Sequence, residues 1–377
     1  MTGLEQLLGE LVAIDSINPD LVPGAAGEAG LAGHVAAWLE RAGLDVRIEE
    51  AAPGRPSVVA IARGTGGGRT LMLNGHLDTV GVAGMAEPFR PRVEDGRLYG
   101  RGAYDMKGGL AACMTAAAEA LERRLRGDVI LTAVADEEYA GRGTMGIATR
   151  YHADGAVIAE STDLELVLAH KGFVWLEIET VGVAAHGSRP ELGLDAIVKM
   201  GRVLVELERL GAELRAHPTH RRLGSGSVHA SLIEGGQELS SYPGRCLLSL
   251  ERRTVPGETP EAVEAELREI VERVGRSDPS FKAVVRRGLD RTPLETPEDA
   301  DIVGTMERSA TKVLSLPPAV TGVPYWTDAA TLWAAGVPTV LFGPSGAGAH
   351  AVSEWVDLDS VRNCAEIYLA CALEFCG

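Results

Sequence analysis

Several short stretches of this chain end in histidine or carboxylate side chains of the kind that bind a divalent cation. The first is LMLNGHLDTV, where His76 and Asp78 sit two residues apart and so share a face at the end of a β-prone run. A histidine bonded to a nearby carboxylate in a loop is the plainer alternative. The second is GRGAYDMKGG, with Asp105 just ahead of an Ala-rich helical run, a place where Asp is most often an N-cap. The third is VILTAVADEEYAGRGT, an apolar run that ends in Asp136, Glu137 and Glu138. Three adjacent acids repel one another unless cations or protons compensate them. Neighbouring side chains diverge, so one Glu could hold a metal while the other moves a proton, as metal-assisted hydrolysis needs. Glu160 in VIAEST and His350 in GPSGAGAHAVSEW complete the set. Each has a loop reading when taken alone; together they form the mixed nitrogen and oxygen set suited to zinc, cobalt or manganese.

The elements that must position these residues follow an α/β rhythm. Helical spacing over Leu4–Ile14 and Gly30–Ala42 precedes β-prone runs at Val46–Ile48, Ser57–Ala62 and Thr70–Leu73, and the turn GTGGG between the last two suggests a hairpin-like connection. A helix over Lys107–Leu125, a strand over Asp128–Val134, a helix over Gly143–Tyr151 and a strand over Ala156–Ala159 then predict a mixed, mostly parallel sheet sandwiched by helices. Ligands in such sheets bind beyond the carboxyl ends of the strands, where these residues fall. From Phe173 the order becomes βαββαβ, the ferredoxin-like unit. The chain therefore reads as a discontinuous catalytic domain, residues 1–173 and 291–377, with an inserted α+β domain over 174–290.

With 377 residues, 45% hydrophobic and 24% charged, the composition is that of a globular protein of more than one domain. The formal charge of −17 argues against nucleic acid and anionic lipid as partners. Five widely spread cysteines form no CxxC pair and read as reduced, buried thiols. The acidic N-terminus and the lack of a long apolar run lead to the expectation of a cytoplasmic protein with no membrane span. Neither GxSxG, GxxxxGK[ST] nor HExxH occurs. Gly141, Gly143 and Gly146 do fit GxGxxG and would suggest an NAD oxidoreductase, but Asp136, Glu137 and Glu138 intervene and would repel a pyrophosphate.

The ordered motifs ELVAIDSINP, GHLDTV, GRGAYDMKGG, DEEYAGRGT, AEST, AHKG, AHGSRPELGLDAI, YWTDAATL and GAH resemble those of a zinc-dependent exopeptidase and deacylase family. That family holds acetylornithine deacetylase, succinyl-diaminopimelate desuccinylase, aminoacylase and glutamate carboxypeptidase. The resemblance implies that His76 and Glu160 bind one metal, Glu138 and His350 the other, and that Asp105 bridges the two. Asp78 matches the acid that orients His76, and Glu137 the general base that serves a hydroxide shared by two cations. His186 matches a histidine that stabilises the oxyanion, often from the partner subunit, and Arg253 an Arg that binds the substrate carboxylate. Two departures stand out: Glu251 replaces the Asp of an Asp-x-Arg motif, and Ser240 stands where relatives often carry a substrate-contacting Asn. The resemblance implies two divalent ions, zinc by default with cobalt or manganese possible, and a homodimer whose inserted domain dimerises and forms a lid. The reaction implied is deacylation of N-acyl amino acids, with a metallo-carboxypeptidase or dipeptidase as the alternative. A non-catalytic relative would normally lack the base or a ligand, and here all of these positions are filled. His34, His152, His217, His220 and His229 read as surface or satisfied residues, and His170 and Lys171 as hinge residues.

Overall fold

The computed structural model describes residues 3–377, and the chain divides into two compact units. The first takes residues up to Leu168 with Thr296–Thr321 and Thr327–Gly377; the second takes Ala169–Glu295 with Gly322–Trp326.

In the first unit, continuous apolar runs form strands buried along their whole length: Val129–Val134, Leu71–His76, Gly155–Ile158 and Thr339–Leu341. Burial on both faces removes the need for alternation. These strands lie parallel in that order, with Leu71 opposite Val129 and His76 opposite Val134. Antiparallel strands flank them: Arg55–Ala62 and then Asp45–Ala52 on one side, Leu166–His170 on the other. The sheet is thus mixed, with a parallel centre. Helices Gly3–Val12, Ala29–Arg41, Gly108–Arg123, Asp301–Leu314 and Leu358–Phe375 contribute Leu8, Leu31, Leu110, Met306 and Tyr368 to one continuous apolar core. The last helix starts where Asp357 accepts the Ser360 backbone N–H at 2.8 Å, a side-chain cap. All five cysteines are free and buried.

The hairpin expected across GTGGG does not form. Strand Val129–Val134 lies between Arg55–Ala62 and Leu71–His76, pairing with both. The glycines serve a crossing instead. Thr65 and Gly66 donate backbone bonds to Leu125 and Arg126 at 2.8 Å, and a Cβ on Gly64 would fall 2.4 Å from the Gly127 carbonyl oxygen. Backbone approaches this close tolerate only glycine.

The second unit has the order strand Gly172–Val181, helix Ala196–Ala216, strands Ser227–Gly235 and Arg245–Thr254, helix Pro260–Arg276, strand Ala283–Arg291. Its sheet runs Ser227–Gly235, Arg245–Thr254, Gly172–Val181, Ala283–Arg291, all antiparallel, which is the ferredoxin-like arrangement. Val174, Leu176 and Ile178 alternate inward onto Met200, Val203 and Leu267, while Trp175 and Glu177 face outward. Asp195 and Thr259 cap the two helices, Thr259 followed by Pro260 at the first turn. Trp326 belongs to this unit because its ring packs edge-on against His170 and Phe173. Among the described residues, no helix is long and apolar enough to cross a membrane.

Candidate metal centre

The parallel centre of the first unit's sheet delivers its strand ends to one edge. His76 closes strand Leu71–His76, Glu137 and Glu138 follow Val134, and Glu160 follows Ile158. His350 comes from the loop beyond Thr339–Leu341. Asp105 lies in an irregular turn over Ala103–Lys107, and Lys107, not Asp105, precedes helix Gly108–Arg123. The N-cap reading of Asp105 is therefore wrong, and its carboxylate is left for another task.

That carboxylate reaches two histidines at once. Oδ1 lies 3.0 Å from His76 Nε2 and Oδ2 lies 3.2 Å from His350 Nε2. His76 Nε2 is also 3.6 Å from Glu160 Oε1, and His350 Nε2 is 3.1 Å from Glu138 Oε2. The ligand atoms of His76, Asp105 and Glu138 fall within 4.8 Å of one another, as do those of His76, Glu137 and Glu160. The two three-cornered sets share His76.

The electrostatics is unbalanced. Burial, then the charge of Asp105, raises the Glu160 carboxyl to about 8 and that of Glu138 to about 7. Burial, then Glu160, lifts Glu137 well above the usual carboxylate range. Against burial, Asp105 and Glu160 raise His76 well above the ordinary imidazole value, and Asp105 and Glu138 raise His350 to about 10. The two imidazoles hold Asp105 well below its usual value despite burial. Among the described residues, Glu138 Oε1 is buried with no hydrogen-bond partner. A buried carboxylate oxygen without a donor is costly, and a divalent cation satisfies it. The residues present fit two such ions.

A pH dependence follows. Glu138, Glu160 and the two histidines must all lose protons before they ligate; burial and neighbouring charge raise Glu138 to about 7, Glu160 to about 8 and His350 to about 10, so competition by protons weakens as the pH rises. Raising the pH from about 6 to about 8 should strengthen zinc binding by about tenfold or more, with protons released on binding. Calorimetric titration in two buffers of different ionisation heat counts those protons; binding without pH dependence or proton release would contradict it.

Asp78 acts differently from the expectation. His76 Nδ1 meets the Asp78 backbone carbonyl at 2.8 Å, while the Asp78 carboxylate is 3.8 Å away from that nitrogen. The carboxylate instead accepts the backbone N–H groups of Glu137 and Glu138, each at 3.1 Å, and Asn18 Nδ2 at 2.8 Å. Asp78 therefore orients His76 through its main chain and the two glutamates through its side chain.

Asp136, the third acid of the run, is compensated by arginine. Arg55 Nη2 lies 3.0 Å from its Oδ1 and Arg142 Nε 3.4 Å from its Oδ2. Arg55 also pairs with buried Glu28 at 2.6 Å and with Asp20. Replacing Arg55 with Met would strand buried Glu28 and leave Asp136 with Arg142 and Asn18 alone, and should cost about 3–5 kcal/mol in urea unfolding; a loss below about 1 kcal/mol would show that the cluster is not coupled. Gly143 and Gly146 of the GxGxxG reading are packing devices, and Gly141 takes a left-handed φ of 64° ahead of helix Arg142–Ala148. A Cβ on Gly143 would lie 2.4 Å from the Ala135 oxygen, and one on Gly146 would lie 2.8 Å from Ala51 Cβ.

Three residues escaped the sequence reading. Glu354 accepts the backbone N–H groups of Gly102, Tyr104 and Asp105 at 2.9–3.0 Å and pairs with Arg101 at 2.6 Å. Asn18 links Asp78 to Asp136. Buried Asp328 accepts from Thr144 Oγ1 at 2.6 Å and adds its charge to Glu137 and Glu160. Asn18 and Asp328 lie inside the motifs INP and YWTDAATL, which were the available signals.

His186, Ser240 and Arg253 lie in the second unit. His186 is exposed, on a short strand paired with Ser241–Tyr242. The Ser188 backbone N–H donates to its Nδ1 at 3.1 Å, so the neutral ring carries its hydrogen on Nε2. Ser240 is exposed; its carbonyl accepts from Gly187 N at 2.6 Å and its hydroxyl donates to Glu238 at 3.3 Å. Arg253 donates from Nε to Glu251 at 2.6 Å.

Residues 72–374 match the family model described as peptidase family M20/M25/M40. An acetylornithine deacetylase of Myxococcus xanthus is 30% identical over 100% of this chain and 98% of its own length. An N-formyl-4-amino-5-aminomethyl-2-methylpyrimidine deformylase of Bacillus subtilis is 30% identical over 94% of this chain and 91% of its own. Among solved structures, an M20 family metallo-carboxypeptidase of Sulfolobus solfataricus superposes with TM-score 0.79 at 20% identity, covering 100% and 99% of the two chains. A dinuclear metal-binding M20 peptidase of Bacillus subtilis gives 0.74 at 16% identity, covering 100% and 98%.

Proposed function

Since the chain belongs to the M20/M25/M40 family of peptidases and is a metal-dependent hydrolase of amide bonds, we propose that it holds two divalent ions and deacylates N-acyl amino acids. The observation that carries this reading is Asp105, whose two oxygens face two different histidines, each of which has its own glutamate. His76 and Glu160 would hold one ion, Glu138 and His350 the other, with Asp105 between them. Zinc suits this donor set first, and cobalt or manganese also fit. Bound divalent ions supply Lewis-acid polarisation of the carbonyl and a more acidic water.

The remaining work falls to this chain's side chains. Glu137, half-buried and held through its backbone N–H by Asp78, takes the proton from the attacking water and passes it to the amide nitrogen. The water oxygen joins the carbonyl carbon, the C–N bond breaks, and the amine leaves neutral. His186 Nε2–H would donate to the developing oxyanion, and Arg253 would take the substrate carboxylate. A homodimer is part of this proposal, since the family resemblance has the oxyanion histidine come often from the partner subunit.

Free amine released from a panel of N-acetyl, N-formyl and N-succinyl amino acids and dipeptides tests the reading. We expect turnover of at least one N-acyl amino acid by zinc-loaded enzyme. Turnover of dipeptides alone would replace deacylation by peptidase action, and no turnover with two ions bound would overturn both.

A further inference from the structure

The open face of the second unit's sheet carries a fixed relay. Strand register sets Glu251 opposite Trp175 and Arg253 opposite Phe173, and residues two apart on a strand share a face. Glu251 Oε1 accepts the Arg253 Nε–H at 2.6 Å, and Oε2 accepts the Trp175 indole N–H at 2.9 Å. An indole can only donate, so each carboxylate oxygen has one committed donor. The guanidinium lies over the Phe173 ring at 5.4 Å, and Phe173 packs on Trp175 at 5.4 Å. Arg253 is thereby held by a charged hydrogen bond on one side and an aromatic surface beneath it.

What remains of Arg253 is its outer edge. Among the described residues, its side-chain hydrogen bond uses Nε, and none uses Nη1 or Nη2. That edge takes a carboxylate in a bidentate fork. Lys171 is a second cation of the same unit. Its ammonium donates to the Ser225 carbonyl at 2.6 Å and forms no ion pair among the described residues. Burial, and then the charge of Arg253, lower its pKa.

We infer that Trp175 and Glu251 are positioning residues for carboxylate recognition: they fix Arg253 by its Nε so that the Nη edge meets the substrate in one orientation. The inference rests on the reading of Arg253 given above. A long side chain already held loses little freedom when a ligand binds. The same two residues select against substrates without a carboxylate, which cannot use the prepared edge.

The test uses the zinc-loaded full chain and two substrates, the best N-acyl amino acid and the same compound with its carboxylate made a carboxamide. Trp175→Phe keeps the ring and removes the donor; Glu251→Gln keeps the shape and turns one acceptor into a donor. Each should raise KM for the carboxylate substrate by about tenfold with kcat within about twofold, and leave kcat/KM for the carboxamide unchanged. Equal losses on both substrates would mean structural damage and overturn the positioning role. Arg253→Ala separates the layers. If it raises the carboxylate KM while the other two variants do not, the relay is wrong and the role of Arg253 stands. If Arg253→Ala leaves that KM unchanged, the reading of Arg253 fails and the relay fails with it.

Discussion

Replacing Glu137 with Gln should lower kcat by about a thousandfold while the enzyme keeps both ions, since a positioned general base contributes roughly 10²–10⁴. Glu137 and Glu138 are adjacent in sequence but differently engaged. Glu138 Oε2 faces His350, whereas among the described residues no hydrogen bond occupies the Glu137 carboxylate, and the residue is held through its backbone N–H. A base needs that freedom. Burial and Glu160 also lift its pKa well above the usual carboxylate range, toward the working pH of a base that must both take and return a proton. The ligand atoms of Glu137, His76 and Glu160 lie within 4.8 Å, so the competing role is that of a metal ligand. Metal content by mass spectrometry distinguishes the two: two ions with lost turnover support the base, and one ion supports the ligand.

Glu354→Gln should weaken divalent-ion binding by about 10- to 100-fold, the usual cost of losing a group that orients a ligand. Its buried carboxylate gathers the N–H groups of Gly102, Tyr104 and Asp105, and these fix the turn from which Asp105 points. An amide nitrogen in place of either oxygen would confront donors with a donor. Arg101, buried and paired to the same carboxylate, would lose its counter-charge and keep the Ala351 carbonyl, and we expect about 3–5 kcal/mol of lost stability. Zinc titration and urea unfolding of the variant measure the two effects. Unchanged zinc affinity would show that the turn holds Asp105 without Glu354.

The contrast between Glu137 and Glu354 explains what the sequence made legible. A parallel sheet converts an apolar run followed by an acid into a residue at a known edge, so His76, Glu137, Glu138 and Glu160 could be located from local pattern. The βαββαβ order of the second unit was legible for the same reason, because alternation and length separate its strands from its helices. Glu354 lies some 250 residues from the turn that it holds, and no local spacing announces such a partner. The Arg55, Glu28 and Asp136 cluster is hidden likewise, and its effect was to take one of three consecutive acids out of the metal site. GTGGG misled because glycine permits both a hairpin turn and a backbone crossing, and only the neighbouring strand decides between them. Asp78 misled because its main chain, not its carboxylate, meets the His76 ring.

The central claim is that two ions together make the amide hydrolase, and a metal titration of turnover tests it most directly. Enzyme stripped by a chelator is supplied with increasing zinc, and amine release is followed with the best substrate of the panel. We expect no turnover without metal and a rise that levels off at about two ions per chain. Full turnover by the metal-free chain, or a plateau at one ion, would contradict it.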